Sequence, residues 1–164
     1  MKIWGIVGWK NSGKTGLMER LVTEFCDRGL SVSTIKHAHH AFDIDKPGKD
    51  SFRHRAAGAT EVLLASDTRF AVMHELRGAP EPTLEALLAR LAPVDLVLIE
   101  GYKRDRHPKV ETWREGCDVP LISEDDPTIR AIATDAALAD ASCPVLDLND
   151  VRAVADFIAK ELDL

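Results

Sequence analysis

Residues 8–15 read Gly-Trp-Lys-Asn-Ser-Gly-Lys-Thr, which fits the spacing G-x-x-x-x-G-K-[ST]. Few features restrict a fold so sharply. Glycines at the two fixed positions let backbone N–H groups close around an anion with no Cβ in the way. A helix starting at the second glycine aims its positive end at the same anion. Lys14 is then placed to reach β- and γ-phosphates, and Thr15 to offer a hydroxyl to Mg²⁺. The pattern is that of a phosphate-binding P-loop, with Gly8, Trp9, Lys10, Asn11, Ser12, Gly13, Lys14, Thr15 and the following Gly16 as candidate nucleotide contacts.

The flanks suit the motif. Lys2–Val7 is a short, mostly apolar run, readable as a buried strand. After the loop, Leu17, Leu21 and Phe25 recur every four residues with Met18 and Val22 alongside, forming one helical face, and Gly29 supplies a stop.

With 164 residues the chain suits a single domain, 1–164, and can bury a sizeable core without staples. Its formal net charge of -6 argues against a broad nucleic-acid surface. Cys26, Cys117 and Cys143 are odd in number, widely spaced and lack any C-x-x-C, which suggests neither a disulfide framework nor a zinc knuckle. No stretch reads as a bilayer span or a signal peptide, so the expected location is cytoplasmic.

Further along, Ser31–Lys36 reads as a second strand. The polar stretch 37–49 holds His37, His39, His40, Asp43 and Asp45 and resembles a working loop. Asp50 or Ser51 can cap a short helix that Gly58 ends. Residues 60–65 and 69–76 read as two strands around a tight Ser-Asp turn, hence an antiparallel hairpin on an otherwise parallel sheet. Thr83 can cap a helix carrying Leu84, Leu87, Leu88 and Leu91, stopped by Pro93. Residues 95–99, 109–113, 130–134 and 144–148 read as further strands. Asn149 can cap a closing helix with Val151, Val154, Ala155, Ile158 and Leu162 on one face. The alternation predicts a three-layer α/β P-loop NTPase fold: a mostly parallel sheet, helices on both faces and one antiparallel hairpin.

A P-loop enzyme needs an acidic residue at the end of a buried strand. Glu100 follows an apolar run and would face the C-terminal sheet edge, where ligands of open α/β folds sit. It is the Walker B candidate, serving Mg²⁺ or orienting the attacking water. No N-K-x-D motif for guanine is present. Asp135 ends a core strand and can accept from the N1 and N2 donors of guanine, or cap a turn.

Taken together, Gly8–Thr15, Ile35-Lys-His-Ala-His-His40, Asp43-Ile-Asp-Lys-Pro-Gly-Lys-Asp-Ser51, Arg55-Ala-Ala-Gly-Ala59, Glu100-Gly-Tyr-Lys103 and Ala131-Ile-Ala-Thr-Asp135 resemble the MobB family of molybdopterin-guanine dinucleotide biosynthesis. The resemblance covers nearly the whole chain. It implies a GTP-binding homodimer with weak GTPase activity. It also implies an accessory partnership with a MobA-type guanylyltransferase that joins GMP to molybdopterin. Dimeric relatives in the wider P-loop class often carry a lysine five residues before the P-loop lysine. Trp9 stands there, so Lys10 is given no trans-acting role.

In this reading Lys14, Mg²⁺ on Thr15 and the loop N–H groups neutralise the phosphates of GTP. Glu100, Asp45 or Asp50 positions water or metal, and a second subunit or partner could supply Arg53, Arg55, Lys103 or Arg104 as an extra cation. Two rival readings stand beside it. A small-molecule or nucleotide kinase would use residues 102–109 as a lid. A metal-delivering GTPase would use His37, His39 and His40 with Asp43 and Asp45.

Overall fold

The computed structural model describes residues 1–38, 42–117 and 119–164. The chain forms two compact units: residues 1–37 with 88–164, and residues 38–87.

The larger unit is built on a six-stranded sheet in the order β2-β5-β1-β6-β7-β8. The strands are β1 (Lys2–Gly8), β2 (Val32–Lys36), β5 (Leu96–Glu100), β6 (Lys109–Trp113), β7 (Ile129–Thr134) and β8 (Val145–Asp147). Every pairing in it is parallel. All five residues of β5 are buried, as expected of a strand covered on both faces.

Alternate residues of the central strands, Trp4, Ile6, Leu96, Leu98, Val110, Ala131 and Ala133, make one side of the core. Against them lie Leu17, Leu21 and Phe25 of α1 (Lys14–Asp27) and Val154, Ala155 and Ile158 of α4 (Val151–Leu162). Full burial of each large side chain is worth about 1.5–3 kcal/mol. Trp4 meets Phe157 edge-on, ring centroids 6.2 Å apart.

On the opposite face the side chains of His107 and Lys109 lie against β1. The β5–β6 connection crosses β1 there with His107 against the strand: a Cβ on Gly5 would lie 2.5 Å from His107 Nε2. Only glycine leaves room for that crossing. The fully buried Glu111 carboxylate accepts the N–H groups of Ile122 and Ser123, both at 2.9 Å, tying down the 3-10 turn Ile122–Glu124.

Helix ends follow their local chemistry. α1 closes with Gly29 at φ 85°, as the sequence suggests. The closing helix is capped by Asp150, not Asn149: Asp150 Oδ1 accepts Ala153 N–H at 3.0 Å, while the Asn149 N–H is held by Asp147 Oδ1 at 2.8 Å. 

In the smaller unit, α2 (Asp50–Ala56) starts after Lys49 with no side-chain cap. Neither Asp50 nor Ser51 caps it as expected: both lie inside the helix, and the Ser51 hydroxyl donates to Asp45 Oδ1. β3 (Glu61–Ala65) and β4 (Phe70–His74) form the antiparallel hairpin, a sheet of its own. Leu63, Phe70 and Val72 share one of its faces and are exposed. Thr83 caps α3 (Leu84–Leu88) through Ala86 N–H. That helix stops short of Leu91, whose N–H bonds back to Leu88 O and tightens the last turn. Among the described residues, no helix is long and apolar enough to cross a membrane.

Candidate functional site

Strand register sets the site. Ile6 pairs with Glu100 and Gly8 with Thr112, so the loop leaving β1 passes between the ends of β5 and β6. Strands β2 and β5 lie on one side of β1 and β6, β7 and β8 on the other, so the loop sits at the C-terminal sheet edge where open α/β folds hold ligands.

The loop has the backbone that phosphate binding requires. Gly8, Asn11 and Gly13 have φ of 149°, 65° and 96°. A Cβ on Gly8 would lie 2.5 Å from Thr112 O and from Ser12 Oγ. Buried Ser12 bonds the Thr112 hydroxyl at 2.7 Å, and Thr112 Oγ1 donates to Val7 O at 3.2 Å, fixing the loop floor to β6. Gly13 precedes α1 with no side-chain cap, so the first-turn N–H groups face the loop. A Cβ on Gly13 would lie 3.0 Å from Arg114 Nε, which packs the Arg114 side chain against the loop.

Lys14 Nζ donates to Trp9 O at 2.6 Å. Burial pushes its pKa below the usual lysine value; Glu100 opposes this and Lys36 adds to it. Thr15 and Lys10 are exposed, while Ser12 and Glu100 are buried. The Glu100 carboxylate lies 3.2 Å from Lys36 Nζ, and its backbone O accepts His37 N–H at 2.9 Å. The His37 ring lies against Tyr102, centroids 4.7 Å apart. Lys103 Nζ sits 4.0 Å from the centre of the Trp9 ring, whose Nε1 donates to Pro120 O at 2.9 Å.

Asp135 lines a cavity of about 330 Å³ with Thr134, Ala136, Val145, Leu146, Asp147 and Asn149. Its Oδ1 accepts Glu115 N–H at 3.1 Å, and its Oδ2 lies 3.8 Å from Arg114 Nε. Each carboxylate oxygen retains a lone pair, so Asp135 can both anchor the turn and accept from a base.

The other two acidic candidates belong to the smaller unit. Asp45 accepts from Ser51 Oγ and Lys46 N–H, both at 2.9 Å, and from Arg55 Nε at 3.3 Å. Arg55 also binds Asp43 and Glu75 at 2.9 and 2.8 Å, which raises its pKa. Asp45 and Arg55 thus both serve an ion-pair network inside that unit. Asp50 is exposed and pairs with Arg53 at 3.7 Å. Of the histidine stretch, His39 and His40 lie outside the described residues.

Sequence reasoning did not single out Thr112, Lys36 or Arg114. Thr112 carried a weak signal, a hydroxyl inside an otherwise strand-like run. Lys36 closes β2 and Arg114 follows β6 at the sheet edge that carries the loop, positions visible only once strand order is known.

The family profile described as MobB, Molybdopterin guanine dinucleotide synthesis protein B, matches residues 3–135. A protein of Escherichia coli (strain K12) named molybdopterin-guanine dinucleotide biosynthesis adapter protein is 38% identical over 93% of this chain and 88% of its own length. Its Haemophilus influenzae namesake is 41% identical over 94% of this chain and 85% of its own. The crystal structure of a MobB homolog from Bacillus stearothermophilus superposes with a TM-score of 0.76 at 30% identity, covering 99% of each chain. That of Bacillus subtilis MobB gives 0.77 at 26%, covering 99% of this chain and 98% of that one. Matched in sequence and in fold over nearly its whole length, this chain is a member of the MobB family.

Proposed function

We propose that this chain is a GTP-binding adapter for molybdopterin-guanine dinucleotide biosynthesis, with slow GTP hydrolysis. The observation that carries the nucleotide half is the Gly8–Thr15 loop, which leads into an α1 start with no side-chain cap. The adapter half rests on the relatives at 38% and 41% identity that bear that name. The partner that follows is a MobA-type guanylyltransferase, which joins GMP to molybdopterin.

The residues fit a triphosphate and its metal. First-turn N–H groups and the Lys14 ammonium neutralise the phosphate tail, and Lys14 exchanges its bond to Trp9 O for one to phosphate. Thr15 and Glu100 would hold Mg²⁺, which supplies charge neutralisation at the phosphates. Glu100 gives up Lys36 to do so, or keeps it and orients water. Asp135 takes the guanine edge in its cavity. The homodimer is favoured by the exposed apolar face of Leu63, Phe70 and Val72, since a two-stranded hairpin alone is marginally stable in water.

Titration of Trp9 emission with GTP, GDP and ATP, with and without Mg²⁺, tests the reading. GTP with Mg²⁺ should bind best, and Lys14→Ala should weaken it about 10- to 100-fold, the loss of a charge-assisted contact. Preference for ATP, or unchanged GTP affinity in Lys14→Ala, refutes it. Co-sedimentation with a MobA-type transferase tests the partnership.

A further inference from the structure

Two consecutive left-handed residues follow Glu100: Gly101 at φ 97° and Tyr102 at φ 51°. The first position admits only glycine, since a Cβ there would lie 2.9 Å from His37 Cβ. Left-handed backbone at a tyrosine is unfavourable and is held here by surrounding structure, including the ring contact with His37. This reversal delivers Lys103 onto the P-loop, where its ammonium lies over the Trp9 ring at 4.0 Å.

Two ammonium groups therefore rest on one loop residue, Lys14 on the Trp9 carbonyl and Lys103 on the Trp9 ring. Burial depresses the Lys103 pKa, and the Lys14 charge depresses it further. Lys36 lies 3.2 Å from Glu100 with its side chain largely exposed, and Arg104 and Lys10 are exposed. A cation held over an aromatic face is weakly bound compared with one hydrogen-bonded to a phosphate oxygen. An anion between Lys14 and Lys103 would relieve their repulsion and outcompete the ring.

We propose that Lys103 is a second phosphate-contacting cation supplied in cis, which leaves the Trp9 ring to bind the terminal phosphate of a nucleoside triphosphate. This rests on the nucleotide reading above and goes beyond it. The chain itself, not a partner, supplies the extra charge, and the residue distinguishes triphosphate from diphosphate.

Lys103→Met keeps the aliphatic stem and removes the charge. GTP and GDP affinities of the full chain are measured by calorimetry for wild type and variant, with Trp9 emission recorded in both. The wild type should prefer GTP, and its emission should respond to GTP and far less to GDP. In Lys103→Met the preference should fall about tenfold, one charge-assisted contact, with GDP affinity within about twofold of wild type. The GTP-specific emission change should vanish, and Lys103→Arg should restore part of the preference. A variant that keeps the wild-type preference overturns this inference alone, as does a wild type that binds both nucleotides equally. A wild type that binds neither overturns the nucleotide reading as well.

Discussion

The hydroxyls of Ser12 and Thr112, 100 positions apart in sequence, meet at 2.7 Å beneath the phosphate loop. Both residues are buried, and Thr112 Oγ1 also donates to Val7 O. Thr112→Val keeps the shape of the side chain but strands the Ser12 hydroxyl and withdraws a donor from Val7 O. An unsatisfied buried group of this kind costs about 1–3 kcal/mol. Urea denaturation should show a loss in that range, and nucleotide affinity should fall because the loop floor loosens. Unchanged stability would mean that the Ser12 hydroxyl finds another partner.

His107 makes the stability of this chain sensitive to mild acid. Its ring is buried against Gly5, neither ring nitrogen has a hydrogen-bond partner among the described residues, and burial next to Lys109 lowers its pKa to about 4. The unfolded chain therefore takes up a proton near pH 6.5 that the folded chain refuses until about pH 4. Stability is full above that window and falls as pH drops through it, by about 3 kcal/mol. Glu111, whose pKa burial raises, acts with the opposite sign near the bottom of the window. The comparison must therefore be between wild type and His107→Leu. The expected result is a smaller loss in the variant between pH 7 and pH 4.5 by chemical denaturation; equal losses would exclude His107 as the cause.

Asp135 offers a test of base selection. Aspartate accepts from both N1–H and the N2 amino group of guanine, whereas asparagine presents an amide donor that suits the O2 acceptor of xanthine. Asp135→Asn should lower GTP affinity and raise that for XTP, each by about tenfold or more for one exchanged polar pair. The Glu115 N–H bond to Oδ1 can be preserved by the amide oxygen, so the turn should stay intact. Competition between GTP and XTP for the variant measures the switch, and an unaltered order of affinity would remove Asp135 from the base site.

Lys109–Trp113 shows where reading the chain reaches its limit. Its alternation of Lys109, Glu111 and Trp113 with Val110 and Thr112 correctly marks a strand, and suggests one wet face. Lys109 and Glu111 are instead fully buried. Lys109 is held by the backbone of Asp105 and His107 and by Thr128 Oγ1, Glu111 by the N–H groups of a 3-10 turn. The loops on either side of the strand satisfy these charges, two to four residues before Lys109 and eleven to nineteen after the pair, and no periodicity announces the burial.

Local pattern alone was enough for the turn between β1 and α1, the faces of α1 and α4, the antiparallel hairpin and Glu100 at a strand end, because each depends on spacing within one turn or one strand. Family membership was also legible, since its signatures are short and contiguous. Strand order was not. It alone sets Thr112 under Ser12, Lys36 against Glu100 and Lys103 over Trp9, because these contacts join residues about sixty to one hundred positions apart through parallel register, which no local periodicity encodes.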